Sequence, residues 1–119
     1  MERGRDARAP NDSLVTSNPL SGYSVYLVGY LCTSGNADWY SVQKVNSYST
    51  LQISLYPPAN SDYDMEFWYS SMYGQSTNTG NGVSEYISWS NSAGTYYIKV
   101  FGKNGAYNSG ASYSLSISQ

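Results

Sequence analysis

Acidic side chains are scarce in this chain, and they stand where they could act chemically. Only eight of the 119 residues are Asp or Glu. Asp38 lies in the stretch GNADWYSV (residues 35–42), between an Asn-containing turn and an aromatic run typical of a strand. Such a carboxylate could cap a turn, bind a metal ion or belong to a catalytic pair. A second acidic group, Asp62, Asp64 and Glu66, alternates along a predicted strand.

Alternation places the second group on one face of its strand. Residues two apart along a strand point to the same side at steps of about 7 Å. Two carboxylates at a set separation could serve a glycosidase, and three could bind a cation. The simplest interpretation is an exposed polar face, and the pattern favours it over the other two.

Several classes of site are excluded by residues that the chain lacks. It contains no His and a single Cys, Cys32, so neither a Cys/His zinc site nor a Ser–His or Cys–His nucleophile pair can form. We expect Cys32 to be a small buried side chain. We therefore predict that the domain is not an enzyme.

The charge distribution argues against nucleic acid and membrane partners. The net charge is −2, and three of the six basic residues lie within the first nine positions. Too few cations remain to neutralise a phosphate backbone. No apolar run approaches the 18 residues of a membrane span.

The remaining composition is polar but largely uncharged, with 14 Tyr and 11 Gly. Such a surface suits an extracellular module that meets neutral polymers. Residues 1–10, MERGRDARAP, have no apolar segment like that of a signal peptide, and we interpret them as a linker or an added remnant. Residues 11–119 are predicted to form one domain, a module of a larger secreted protein.

Period-two alternation, interrupted by turn residues, predicts an all-β fold. We predict an antiparallel β-sandwich of seven to eight strands. The long polar stretches 70–82 and 103–111 are predicted to be loops. The strands are predicted over residues 23–32, 38–45, 49–56, 62–69, 83–90, 94–102 and 112–118.

Aromatic side chains form the other candidate site. Their flat faces match those of sugar rings and of proline-rich collagen. The alternative is that these rings only fill cross-strand pairs. The candidates lie on predicted solvent faces or in loops, and they are Trp68, Tyr73, Tyr86, Tyr97, Phe101 and Tyr107.

Seven short motifs, in this order, resemble those of a known family. They are NDS (11–13), VGYL (28–31), NADWYSV (36–42), LQISL (51–55), DYDMEFWY (62–69), AGTYYIKVFG (93–102) and YSLSI (113–117). Together they resemble the bacterial pre-peptidase C-terminal domain and are similar to the collagen-binding domains of clostridial collagenases. The resemblance implies a jelly-roll-like sandwich that accompanies a secreted hydrolase and often binds calcium near its N-terminal strand.

The resemblance also implies which residues would bind calcium. In the family, the segment before the first strand and the turn before the third meet and supply the ligands. By position these are Asn11, Asp12, Asn36 and Asp38, although the same residues could merely cap turns. Relatives of the collagenase type have further acidic residues upstream, where this chain has RGRDARAP (3–10), so a weaker site is expected.

These observations combine into one functional hypothesis. The domain is predicted to be a non-catalytic, extracellular accessory module of a secreted peptidase or polysaccharide-degrading enzyme. It would bind a polymer such as collagen or an insoluble polysaccharide and would be stabilised by Ca²⁺. The alternative is a structural spacer, or a processing or stability domain, with no ligand of its own.

Overall fold

The described part of the chain folds into strands joined by turns, as the alternation of apolar and polar residues predicts. The structure, a computed structural model, describes residues 18–20, 24–31, 34–45, 49–69, 71–90, 92–108 and 110–119, and of 18–20 only the backbone. No helix in these ranges is long and apolar enough to cross a membrane. The strands are β1 (Asn18–Leu20), β2 (Ser24–Gly29), β3 (Ala37–Lys44), β4 (Leu51–Tyr56), β5 (Tyr63–Trp68), β6 (Met72–Ser76), β7 (Glu85–Trp89), β8 (Gly94–Gly102) and β9 (Tyr113–Ser118).

Strands β2 to β9 form two four-stranded antiparallel sheets. One has the order β2-β9-β4-β7 and the other β3-β8-β5-β6, and β1 extends the second sheet by pairing parallel to β3. Successive strands mostly change sheet, which is the connectivity of an eight-stranded jelly roll built from two Greek keys. The predicted fold class, an antiparallel jelly-roll-like sandwich, is therefore confirmed.

The inner faces of the two sheets form the core. On β4, Leu51, Ile53 and Leu55 are fully buried, whereas Gln52 and Tyr56 between and after them are exposed. The same alternation holds on β9, where three buried apolar residues are separated by serines. The strands that read as alternating in the sequence are thus the ones that pack the sandwich.

Two strands differ from the sequence prediction. Residues 70–82 were expected to form a loop, but they contain β6, an edge strand whose side chains are exposed or half-buried. Because this strand packs few apolar side chains, it shows no apolar alternation. The three-residue β1 was also not predicted. Residues 1–17 and Cys32 lie outside the described residues, so the predicted domain boundary and the predicted burial of Cys32 remain predictions.

A close backbone approach at the end of β8 gives a test of this packing. A Cβ atom added to Gly102 would lie 1.8 Å from the carbonyl oxygen of Ala106, whereas one added to Gly74 would meet nothing within 4 Å. We expect Gly102→Ala to lower the free energy of unfolding by about 1–3 kcal/mol because backbone must move. Gly74→Ala should be neutral or slightly stabilising. Equal urea midpoints for the two variants would contradict the described turn.

Candidate functional site

Three carboxylates meet at the beginning of β5. One oxygen from each of Asp62, Asp64 and Glu85 lies within 4.8 Å of the others. Asp62 directly precedes β5, Asp64 is its second residue, and Glu85 begins β7 in the opposite sheet. The cluster therefore joins the two sheets, and it offers only oxygen ligands.

The connection between β6 and β7 closes over these side chains. The amide of Gly80 donates to Asp62 Oδ2 at 3.0 Å, and the amide of Gly82 donates to the carbonyl of Ser61 at 2.8 Å. Glu85 Oε1 accepts hydrogen bonds from the Ser76 hydroxyl at 2.6 Å and from the amide of Asn78 at 2.9 Å. These contacts fix one oxygen of Asp62 and one of Glu85.

The other carboxylate oxygens are buried without such partners. Glu85 is fully buried and Asp64 is 4% exposed. Among the described residues no hydrogen-bond partner reaches Asp62 Oδ1, Asp64 Oδ1 or Glu85 Oε2. Burial, followed by the nearby carboxylates of Asp62 and Glu85, raises the pKa of Asp64 to about 7. The cluster can therefore bind either a proton or a metal ion.

The acidic group predicted from the sequence differs from the one in the structure. Asp64 was expected on an exposed face, but it is buried beneath the β6–β7 connection. Glu66 accepts a hydrogen bond from the indole N–H of Trp68 at 2.9 Å and is not part of the cluster. Glu85 was missed, although alternation with Ile87 and Trp89 placed an acidic residue on an inward face.

Asp38 belongs to a separate buried network. It is fully buried, and its Oδ2 accepts a hydrogen bond from the Tyr113 hydroxyl, with 2.5 Å between the two oxygens. Burial, then the Tyr40 hydroxyl and the Asp38 carboxylate, raises the pKa of Tyr113 well above its usual value, so Tyr113 remains a donor. Tyr40 then donates to Tyr113 at 2.5 Å.

The four residues predicted to bind calcium are only partly described. Asn36 is half-buried in the turn before β3, and Asp38 has one carboxylate oxygen engaged by Tyr113. Asn11 and Asp12 lie outside the described residues. An amide and a carboxylate are ligands that calcium accepts, so a site with these four residues stays a prediction.

The predicted aromatic residues occupy several places. Trp68, Tyr97 and Phe101 are half-buried on the outer face of the β3-β8-β5-β6 sheet. Trp68 packs edge-on against Trp39 with 5.6 Å between ring centroids, and the Lys99 ammonium lies 4.9 Å from the Phe101 centroid. Trp68 and Phe101 therefore have partners within the sheet, and Tyr97 lies opposite Trp68 in the pairing of β5 with β8.

The other three predicted rings are about half exposed and lie on three different segments. Tyr86 is on β7 and Tyr73 on β6. Tyr107 follows the turn after β8 and lines a polar cleft of about 560 Å³. That cleft also contains Asp62, so it leads to the acidic cluster. Its other lining residues are Ser34, Asn60, Ser61, Asn81, Lys103, Asn104, Gly105 and Ala106.

Tyr73 belongs to a second cleft, which we call the aromatic cleft, of about 450 Å³. Four rings, those of Tyr69, Tyr73, Trp89 and Tyr96, contact one another in a closed cycle. Neighbouring centroids are 5.9 Å (Tyr69–Tyr73), 5.3 Å (Tyr73–Trp89), 5.9 Å (Trp89–Tyr96) and 5.3 Å (Tyr96–Tyr69) apart. Ser92 and Ala93 complete the lining.

Tyr69, Trp89 and Tyr96 were not among the predicted aromatic residues, because alternation along the predicted strands 62–69, 83–90 and 94–102 places them with apolar residues on the inner face. They do point that way, but they lie where β5 and β7 end and β8 begins, so the inward face opens there into a cleft. Strand pairing places the polar cleft at the opposite end of β5 and β8.

Comparison with solved structures finds the same fold in two kinds of protein. The pre-peptidase C-terminal domain of a collagenase from Bacillus anthracis matches with a TM-score of 0.63 and 20% identity, over 85% of this chain and 93% of that one. PliG, a periplasmic inhibitor of g-type lysozyme, matches at 15% identity. Its Aeromonas hydrophila form has a TM-score of 0.54 over 86% of this chain and 94% of that one, and its Salmonella Typhimurium form 0.53 over 86% and 96%.

No family model matches the chain, and no curated protein does. The resemblance inferred from the seven motifs is thus confirmed as a likeness of fold to a pre-peptidase C-terminal domain. A fold shared with lysozyme inhibitors does not by itself decide the function, which must be argued from the clefts.

The Asp38 network predicts that removing the buried Tyr113 hydroxyl costs more stability than removing the exposed Tyr26 hydroxyl. Tyr113→Phe removes a buried donor to a carboxylate and should lower the free energy of unfolding by about 1.5–3 kcal/mol. Tyr26 is 68% exposed, and its hydroxyl donates to Ser114, so Tyr26→Phe is a matched control with an expected change below about 0.5 kcal/mol. Equal chemical-denaturation midpoints for both variants would contradict the network.

The shifted pKa of Asp64 predicts a pH dependence of stability without metal. The pKa of Asp64 is about 7 in the folded protein, whereas the reference value is 3.8. Between these values the folded state binds more protons, so the free energy of unfolding falls as the pH rises. In a chelator, the melting temperature of Asp64→Asn minus that of the wild type should grow between pH 4.5 and 8. A pH-independent difference would show that Asp64 titrates normally.

Proposed function

We propose that this domain is a non-catalytic accessory module of a secreted hydrolase and binds an extracellular polymer through the aromatic cleft. The observation that carries the proposal is the closed cycle of four rings around a cleft of about 450 Å³. The likeness of fold to a domain of a collagenase supports the setting, that is, attachment to a parent hydrolase outside the cell.

The chemistry of the aromatic cleft favours a neutral ligand with flat apolar faces. None of its lining residues is charged, and Tyr69 and Tyr73 are 48% and 46% exposed at its mouth. Pyranose rings and prolyl rings both stack on aromatic faces, and tyrosine loses little conformational entropy on binding. Ring contacts already hold the four side chains in place, which lowers the cost of binding further.

Two further elements of the proposal rest on the sequence. Calcium bound by Asn11, Asp12, Asn36 and Asp38 would tie the segment before β1 to the sandwich. The outer-face rings of Trp68, Tyr97 and Phe101 would be a second contact surface for the polymer. Their existing partners in the sheet make them weaker candidates than the aromatic cleft.

Adsorption to insoluble collagen, chitin and cellulose tests the proposal. Tyr69→Ala and Tyr73→Ala should each cost about 2 kcal/mol or more of binding, roughly thirtyfold in affinity, beyond the loss of stability expected from the two ring contacts that each variant removes. Tyr97→Ala tests the outer-face rings. Tyr26→Ala is the control, because it removes a 68% exposed ring that belongs neither to the aromatic cleft nor to the outer-face group.

The outcomes separate the two surfaces and the alternative function. Loss of adsorption only in Tyr97→Ala would move the binding site to the outer face. If wild type adsorbs to none of the three polymers, the polymer proposal fails and the domain is better described as a spacer or stability domain. The polymer to which the wild-type protein adsorbs identifies the ligand class.

A further inference from the structure

The acidic cluster contains more negative charge than its hydrogen bonds stabilise. Asp64 and Glu85 are at least nine-tenths buried, and Asp64 Oδ1 and Glu85 Oε2 are buried with no hydrogen-bond partner among the described residues, in a group whose carboxylates come within 4.8 Å of one another. An unsatisfied buried carboxylate oxygen is costly, and adjacent carboxylates repel one another at short range. Such an arrangement requires something that neutralises it.

The described groups of the protein compensate this charge only in part. The amides of Gly80 and Asn78 and the hydroxyl of Ser76 donate to Asp62 Oδ2 and Glu85 Oε1. The exposed ammonium of Lys103 attracts the charge of Asp64. Asp62 Oδ1, Asp64 Oδ1 and Glu85 Oε2 have no hydrogen-bond partner among the described residues and are thus the oxygens left for a ligand.

We propose that Asp62, Asp64 and Glu85 bind a calcium ion, at a site separate from Asn11, Asp12, Asn36 and Asp38. The donors are all carboxylate oxygens, which hard cations prefer, and the cluster contains no His or Cys that would favour zinc. Calcium–oxygen bonds are about 2.3–2.6 Å long, so one ion spans oxygens up to about 5 Å apart. The observed limit of 4.8 Å fits within that span.

The position of the cluster gives the ion both an entrance and a structural consequence. Asp62 is half-buried and lines the polar cleft, so the cluster is reached from that side. Asp64 belongs to one sheet and Glu85 to the other. The ion would therefore clamp β5 to β7 at an edge of the sandwich, independently of any polymer in the aromatic cleft.

Calcium binding by the full chain is measured by titration calorimetry and by bound-metal analysis. Wild type should bind one ion at this cluster, and its melting temperature should rise by about 10 °C at a hundred times the dissociation constant. Asp64→Asn and Glu85→Gln should each lose that ion. Glu66→Gln is the matched control, because Glu66 is on the same strand but accepts a hydrogen bond from Trp68.

A second set of variants separates this ion from one at the N-terminal residues. Asp12→Asn should leave the ion of the cluster in place. In a chelator, Asp64→Asn and Glu85→Gln should melt no lower than wild type, since removing a charge relieves repulsion. If one of them does not fold, Asp62→Asn at the cleft provides the same binding test.

Several results would overturn the proposal. They are no calcium bound by the wild type, calcium retained in full by both Asp64→Asn and Glu85→Gln, or loss of all bound calcium in Asp12→Asn alone. Binding of magnesium or manganese in place of calcium would also overturn it as stated. Loss of calcium in the cluster variants with unchanged polymer adsorption would support it whether or not the proposed function holds.

Discussion

A buried carboxylate must receive hydrogen bonds or a cation, and the described part of this sandwich buries three acidic residues: Asp38, Asp64 and Glu85. Asp38 accepts a hydrogen bond from Tyr113, whose hydroxyl in turn accepts one from Tyr40. Glu85 has one oxygen fixed by the β6–β7 connection. Asp64 has neighbours of its own charge. The conformation of this end of the molecule depends on how these charges are compensated.

The way in which these buried charges are compensated also determines which segments must be ordered. The connection between β6 and β7 has few apolar contacts of its own and is rich in Asn, Thr and Gly. It is fixed because its amides donate to the Ser61 carbonyl and the Asp62 carboxylate, just before β5, and to the Glu85 carboxylate. A polar connection is thus held by the acidic residues that it covers, and its order is coupled to their charge.

Local alternation predicted the core strands because it reports directly on which face of a strand is buried. It identified β4, β8 and β9 and their inward residues from the sequence alone. It could not identify the acidic cluster, because Asp64 and Glu85 are 21 positions apart and meet only when two sheets pack. Nor could it reveal β6, since an exposed edge strand has no apolar period to read.

The aromatic cleft shows that knowing which face of a strand a residue lies on does not decide whether that residue is in the core. Tyr96 packs on Phe67 in the core with 5.0 Å between ring centroids and also lines the cleft. An inward side chain is a core residue only where the opposite sheet covers it. At the ends of the strands the same orientation creates a cavity wall. Because β5 and β8 have different clefts at their two ends, one scaffold can present two surfaces that vary independently. The likeness to a collagenase domain and to a lysozyme inhibitor is one of fold, so the function of this chain has to be argued from these clefts and not from the sheet pair.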